Sequence, residues 1–217
     1  ITKLLKKLSM HLCNKTFCSI FILFSLNLSA YYEININYES GFEYESQKKL
    51  LIDLQKESSK RSIENLIKNQ DWIGEYSLVF KPLSKKIFIS IKNREPLFIL
   101  NKEHYYDRNL KKFTFDKSRK KIILVNGDIN DIEDILNIID LVQLNNLIEF
   151  KIDRIDYSFV NGWDVKTDTA LIRFGKNISD QRIKNFLDTV NYIYENRKIP
   201  SIIDMRYKDG VALSYGK

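Results

Sequence analysis

Cysteine and histidine are scarce in this sequence, and their scarcity limits its chemistry. The 217 residues include two cysteines, Cys13 and Cys18, and two histidines, His11 and His104. Because both thiols lie near the N-terminus, the chain after Cys18 cannot form a disulfide bond. It also cannot assemble a zinc site from cysteine and histidine ligands. The rest of the chain must therefore be held together by packing.

Glycine is also scarce, and candidate catalytic groups are isolated. None of the seven glycines stands in a phosphate-loop arrangement, so a nucleotide site has no support. His104 has no suitably spaced serine, cysteine or aspartate partner. Four carboxylates open a predicted helix, where they suit the helix dipole better than catalysis: Asp128, Asp131, Glu133 and Asp134. We predict a protein that is not an enzyme, with no catalytic residue, cofactor or metal.

The basic charge of the chain is concentrated at its N-terminus. The formal net charge is +7, but residues 1–32 contain four lysines and no acidic residue: Lys3, Lys6, Lys7 and Lys15. Residues 33–217 hold 31 basic against 28 acidic side chains, mixed along the sequence. A nucleic-acid-binding surface would concentrate its cations and interleave them with aromatic residues. We therefore predict no nucleic-acid partner.

The N-terminal segment is predicted to be a membrane-targeting signal. The apolar run Phe17–Ala30 has 14 residues, which suits the core of a cleavable signal peptide. The longer span Leu12–Tyr32 has 21 residues, which suits a transmembrane helix. Both interpretations keep the N-terminal lysines in the cytoplasm and export the chain from residue 33 onward.

Residues 33–96 have the pattern of a small α+β module. A strand, two short helices and two strands are predicted in turn, at residues 33–38, 50–54, 63–67, 74–81 and 85–95. Pro82 marks the turn between the last two strands. The module is expected to be built in the order strand, helix, helix, strand, strand.

The remaining residues predict a mixed β domain with two main helices. Short strands are expected at 97–100, 103–107, 112–115, 147–159 and 163–175. Helices are expected at 128–146 and 179–195, the second capped by Ser179. The dipeptide Asn161-Gly162 is a strong hairpin signal.

The chain ends in a predicted hairpin, whose loop sets its register. A two-residue loop, Asp209-Gly210, would leave both faces mixed. A three-residue loop, Lys208–Gly210, with Gly210 left-handed in a bulge, gives one apolar and one polar face, so we prefer it. It predicts three pairs: Tyr207 with Val211, Met205 with Leu213, and Ile203 with Tyr215.

Three stretches together resemble the FtsQ/DivIB family of bacterial cell-division proteins. The first is "NQDWIGEYSLVFKPLSKKIFISIKNREPLFIL" and the second is "HYYDRNLKKF". The third runs from "NGWDVKTDTALIRFG" to the terminal "DMRYKDGVALSYGK". Their order and spacing are more specific than any one of them alone.

The resemblance implies a complete domain plan. It comprises a cytoplasmic tail at 1–11, a transmembrane signal anchor at 12–32, a POTRA domain at 33–96 and a C-terminal β domain at 97–217. The fold class expected is thus α+β with a single N-terminal transmembrane helix. The protein would be a single-pass type II protein of the inner membrane, largely periplasmic and located at the division septum.

The resemblance also implies a function and its site. Proteins of this family are non-enzymatic divisome scaffolds that bind FtsB and FtsL and link early division proteins to septal peptidoglycan synthesis. Neither proline nor charge blunts the predicted edge Val211–Tyr215, which favours strand addition. The expected partner-binding residues are Tyr207, Gly210, Val211, Ala212, Leu213, Ser214 and Tyr215. An alternative is a POTRA-bearing factor of outer-membrane assembly or secretion.

Overall fold

The computed structural model describes residues 32–40, 45–115, 121–143, 145, 147–208 and 210–216. Within these ranges the chain forms four helices and twelve strands, which are arranged in a three-stranded and a nine-stranded sheet.

The three-stranded sheet belongs to an N-terminal module with two helices. Its elements are β1 (Glu33–Tyr38), α1 (Glu45–Leu54), α2 (Lys60–Lys68), β2 (Ile73–Lys81) and β3 (Lys86–Asn93). The strand order is β1-β3-β2, in which β1 is parallel and β2 antiparallel to β3. The predicted order of strand, helix, helix, strand, strand is confirmed.

Alternation and helical spacing explain how this module is packed. Ile87, Ile89 and Ile91 alternate along β3 and turn one face inward, where each is almost fully buried. The apolar stripes of α1 and α2 cover that face. Ser59 begins α2 because its side-chain oxygen accepts a hydrogen bond from the Ser62 N–H at 3.1 Å.

The nine-stranded sheet follows and carries the other two helices. Its elements are β4 (Phe98–Leu100), β5 (His104–Tyr106), β6 (Lys112–Phe113), β7 (Ile123–Asn126), α3 (Glu133–Gln143), β8 (Ile152–Ser158), β9 (Gly162–Thr167), β10 (Leu171–Gly175), α4 (Asp180–Asn196), β11 (Ile202–Asp204) and β12 (Ala212–Ser214). The strand order is β12-β11-β10-β9-β8-β7-β4-β5-β6. Three neighbouring pairs are parallel, namely β4–β7, β7–β8 and β10–β11.

The core of this larger unit lies between one face of the sheet and the two helices. Phe186, Val190 and Ile193 of α4 belong to it, together with the apolar face of α3. Ser179 caps α4, as predicted. The hairpin predicted at Asn161-Gly162 is also present, but residues 159–161 form its turn and Gly162 is the first residue of β9, opposite Ser158. Gly162 has a φ of +75°, and a Cβ added to it would lie 2.0 Å from the carbonyl carbon of Gly175. Any side chain at that position would collide with this backbone.

Two features of the sheet differ from the prediction. The strand β7 was not predicted. The segment expected as one strand at 163–175 is two strands, β9 and β10, because the chain turns between them. The Thr167 hydroxyl stabilises this turn by accepting hydrogen bonds from the N–H of Ala170 at 2.9 Å and of Thr169 at 3.3 Å. Helix α3 is also shorter than predicted.

The N-terminal module covers the β6 end of the larger sheet. Phe113 and Phe115 pack into the core of the module. The N–H and hydroxyl of Thr114 both donate to one carboxylate oxygen of Asp71 at 2.7 Å. Arg94, which follows β3, forms a buried ion pair with Asp107. The two sheets are therefore joined by both apolar and charged contacts.

The predicted fold class requires a correction. In the part of the chain that the structure describes, no helix is long and apolar enough to cross a membrane. Of the segment 12–32, where the transmembrane helix was expected, residues 12–31 lie outside the described residues. The fold class of the described residues is therefore α+β with mixed sheets.

Candidate partner-binding edge

The two ends of the nine-stranded sheet differ in their surroundings. At one end β6 is covered by the N-terminal module, as described above. At the other end β12 is paired only with β11, and no strand lies beyond it among the described residues. The position predicted for the last strand, at a sheet edge, is confirmed.

The register of the terminal hairpin differs from the predicted one by two residues. Ile203 is opposite Leu213, and Asp204 is opposite Ala212. The predicted partner of Leu213 was Met205, so the three-residue loop is wrong, and residues 205–211 connect the two strands instead. A shift of two residues keeps every side chain on its expected face. The predicted apolar and polar faces are therefore preserved.

The hydrogen bonds of β11 determine which groups of β12 face outward. The Ser201 C=O and the Met205 N–H both bond to β10, each at 2.9 Å. Because backbone groups alternate between the two sides of a strand, Ile202 and Asp204 turn theirs toward β12. Their partners Ser214 and Ala212 therefore bond inward. The N–H and C=O of Leu213 point to the open side, where a further strand would pair.

The loop before β12 contains two of the predicted site residues. Tyr207 is exposed. Gly210 is half-buried, and a Cβ added there would meet no atom within 4 Å. The three-residue loop to which the predicted left-handed bulge at this glycine belonged is not formed, because Leu213 is opposite Ile203.

Side chains of β12 and its flanks divide between two faces. Val211 and Leu213 are half-buried and pack against the core. Ala212 and Ser214 are exposed on the opposite face. The Lys198 ammonium lies 4.6 Å from the centre of the Tyr215 ring, which holds that ring near the end of the strand. The predicted site residues thus surround one exposed backbone edge.

A groove of about 510 Å³ lies between this edge and helix α4. Gly210, Val211, Leu213 and Tyr215 line one side. The helix lines the other side with Asn185, Asp188, Thr189 and Tyr192. A strand added at the edge would therefore place alternate side chains in this groove.

The helical side of the groove was not among the predicted site residues. Tyr192 is half-exposed, although it lies on a helix whose other large apolar side chains include the buried Phe186 and Ile193. The helical spacing places Tyr192 beside the apolar stripe and not within it, and this signal was available in the sequence. Its position next to β12 was not, because it depends on the parallel pairing of β10 with β11.

An ion pair fixes the chain where β11 ends. The Arg206 guanidinium donates to both carboxylate oxygens of Asp204, at 2.9 and 2.6 Å, and the Arg206 N–H donates to one of them at 3.1 Å. These hydrogen bonds from the Arg206 side chain lower the pKa of the buried Asp204 carboxyl. The same pair raises the pKa of Arg206. These contacts hold the first residues of the loop between β11 and β12 in place.

A second carboxylate on this face, Asp164, has its pKa shifted in the opposite direction. Arg173 is opposite Asp204 on one side and Asp164 on the other. Burial raises the pKa of Asp164, which the charge of Arg173 only partly offsets. Asp164 Oδ1 and Arg173 Nε are buried without a hydrogen-bond partner in the described part of the protein. Together with Asp204 they form a charged row that ends beside β12.

The other polar candidates are dispersed. His104 lies in β5, with its Nε2 at 3.2 Å from the Lys112 ammonium. Asp131 accepts a hydrogen bond from the Glu133 N–H at 2.9 Å, in keeping with a role at the start of α3. Across the described ranges, no group of three or more His, Cys, Asp and Glu residues is arranged to hold a metal ion.

Two comparisons with known proteins, by family and by curated sequence, gave no match. The resemblance to the FtsQ/DivIB family therefore remains a prediction from the sequence motifs.

Proposed function

We propose that this protein is a non-enzymatic scaffold of the bacterial divisome that binds a partner by strand addition at β12. The observation that carries the proposal is the asymmetry of the nine-stranded sheet, whose β6 end is covered while its β12 edge is open beside a groove. An added strand would satisfy the outward N–H and C=O of Leu213.

The partner is FtsB in complex with FtsL, as the resemblance to the FtsQ/DivIB family implies. In this role the protein acts at the septum, on the periplasmic side of the inner membrane. It links early division proteins to septal peptidoglycan synthesis. The groove would give specificity to an interaction whose affinity comes in part from backbone hydrogen bonds.

A matched pair of variants at one position tests the binding mode. Leu213→Pro removes the outward N–H, whereas Leu213→Ala shortens the side chain further than proline does and keeps that N–H. We expect Leu213→Pro to weaken capture of purified FtsB/FtsL by about tenfold or more and Leu213→Ala to weaken it less. Equal capture by the two variants would contradict strand addition, provided that circular dichroism shows both to be folded at the assay temperature.

Hydrogen exchange gives an independent readout on the unmodified protein. The amide of Ala212 bonds to β11 and should already be protected without a partner. The amide of Leu213 should exchange rapidly alone and slowly in the complex. If exchange slows only at backbone amides of α4 and stays unchanged at Leu213, the partner binds in a different mode.

The cellular role is tested by depletion. Cells that lose the protein should form filaments without septa, and a wild-type copy should restore division. Normal septation after depletion would exclude the divisome role, whatever the chain binds in vitro.

A further inference from the structure

The turn between β2 and β3 carries an unusual combination of exposed groups. Leu83 at its apex is fully exposed. The turn is closed by hydrogen bonds from the Lys85 N–H to the Pro82 C=O at 3.2 Å and from the Ser84 hydroxyl to the Lys81 C=O at 3.3 Å. These contacts hold the backbone in a tight bend and leave the leucine side chain in solvent. An exposed leucine beside a proline presents an apolar tip.

Cations surround this apolar tip. Lys81, Lys85 and Lys86 flank it in the sequence, and Glu33 is the acidic side chain that the pairing of β1 with β3 places next to Lys86. Glu33 forms an exposed ion pair with Lys86 at 3.0 Å, so one of the three lysine charges is offset. The turn keeps a positive excess around its leucine.

The helices of the module add little net charge at this end. α1 begins near Asn93, because the Gln47 amide donates to Asn93 Oδ1, and α2 ends near Trp72. The turn between the helices therefore points toward the β2–β3 turn. The charged residues of this turn and of the adjoining helix ends balance, with three of each sign: Lys56, Lys60, Arg61, Asp53, Glu57 and Glu64. The cationic excess at this end comes from the lysines around Leu83.

An aromatic pair lies at the same end of the module. The rings of Tyr32 and Phe80 meet edge to face, with centroids 4.8 Å apart. Tyr32 directly precedes β1, so the chain enters the module at the end that carries the β2–β3 turn. The contacts with the larger sheet, from Asp71 to Thr114 and from Arg94 to Asp107, lie at the opposite end. That separation is about 27 Å along the strands.

We propose that the β2–β3 turn contacts the surface of an anionic lipid bilayer, with Leu83 entering the interface and Lys81 and Lys85 binding lipid phosphates. An apolar tip ringed by lysines and backed by aromatic side chains has the chemistry of a membrane interface. The sequence that precedes Tyr32 supports a lipid surface over a protein partner, since residues 1–31 combine four lysines and the apolar run Phe17–Ala30 without an acidic residue. The inference does not depend on how β12 is used.

The test measures the environment of residue 83 in the full chain. A nitroxide label is attached at Leu83→Cys after Cys13 and Cys18 are replaced by serine. Matched labels at Val79→Cys, in the middle of β2, and at Val160→Cys, at the β8–β9 turn, serve as controls because both side chains are exposed. The proteins are mixed with vesicles of phosphatidylcholine that contain about one third phosphatidylglycerol.

We expect the label at residue 83 alone to become accessible to oxygen and shielded from a water-soluble nickel reagent. Replacing Lys81 and Lys85 by glutamine should lower the vesicle partition constant, obtained by titrating lipid against the shielded fraction, about fivefold for each lysine removed. A label at residue 83 that stays as water-exposed as the two controls would overturn the proposal and favour a protein partner for the turn. Shielding that is equal in pure phosphatidylcholine and unaffected by the glutamine substitutions would overturn the role of the lysines.

Discussion

The hairpins β2–β3 and β11–β12 show two ways of building an edge. In the first, strands of nine and eight residues meet through a tight turn and are paired along their length. In the second, strands of three residues each are joined by residues 205–211. The first hairpin is specified by local sequence. The second depends on β10, whose parallel pairing with β11 holds it in place. An edge made of short strands that depend on a neighbouring strand can adapt more easily to a partner.

The largest expected loss of stability comes from a substitution in the core of the better-packed hairpin, β2–β3. Ile89 on β3 is almost fully buried between the sheet and the helices of the N-terminal module. We expect Ile89→Ala to lower the free energy of unfolding by about 2–5 kcal/mol, because it leaves a cavity. Denaturant titration measures this loss. The exposed Val79 of the same hairpin provides the control, since Val79→Ala should change it by less than about 0.5 kcal/mol.

The next largest loss of stability is expected at the ion pair between Asp204 and Arg206, where β11 ends. Asp204→Asn weakens the charged hydrogen bonds to Arg206 and should lower the free energy of unfolding by about 1–3 kcal/mol at neutral pH. The folded-state pKa of Asp204 lies below its ordinary value. Its contribution is therefore present above that ordinary value and is lost as pH falls through the lowered pKa. Stability curves of the wild type and the variant should converge in acid.

Asp164→Asn is the control for this pH dependence, because the pKa of Asp164 is raised by burial. Its ionised form is disfavoured in the folded protein, so the folded state gains relative stability as pH falls through that raised pKa. The variant should be no less stable than the wild type at neutral pH. A loss equal to that of Asp204→Asn would show that the two carboxylates are equivalent, against their different surroundings.

A smaller effect on stability is expected at the edge itself. Leu213 is half-buried, so Leu213→Ala should cost about 1 kcal/mol of unfolding free energy, well below the cost at Ile89. Thermal unfolding compared with Ile89→Ala measures the difference between the two hairpins. A loss as large as that of Ile89→Ala would mean that β12 is an integral part of the core and not an adaptable edge.

The smallest effect is expected where the first hairpin meets β1. Glu33 and Lys86 form an ion pair in solvent, and the pair lowers the pKa of Glu33 chiefly through the hydrogen bond from Lys86. Exposed pairs of this kind contribute little to stability. Glu33→Gln should leave the unfolding midpoint unchanged within error. A measurable shift would show that the start of β1 is more constrained than its exposure indicates.

The sequence predicted what depends on neighbours along the chain. Alternation over β3, helical spacing over α4 and the Ser179 cap were sufficient to place those elements. The same alternation assigned Ile203 and Leu213 to the apolar face of the terminal hairpin, which the structure confirms. Faces follow from a period of two residues, and that period is visible in the sequence.

The errors arose where distant strands decide the outcome. The register at β12 was wrong because the Arg206 N–H, which would face Ala212 in the predicted register, donates to the Asp204 carboxylate instead. Asp204 is therefore the residue opposite Ala212. The short strand β7 was missed because it is stabilised between β4 and β8, two parallel neighbours from separate parts of the chain. The groove residues of α4, such as Tyr192, depend on the same long-range pairing.

The uninterrupted sheet from β6 to β12 has a mechanical consequence. Nine hydrogen-bonded strands at their usual spacing extend over about 38 Å, measured along the sheet. The covered end is joined to the N-terminal module by the hydrogen bonds from Thr114 to Asp71 and by the ion pair of Asp107 with Arg94. The sheet therefore keeps its two ends at a fixed distance from each other. Any protein attached at β12 is held at a set offset from the module, and pulling on one end is transmitted to the other.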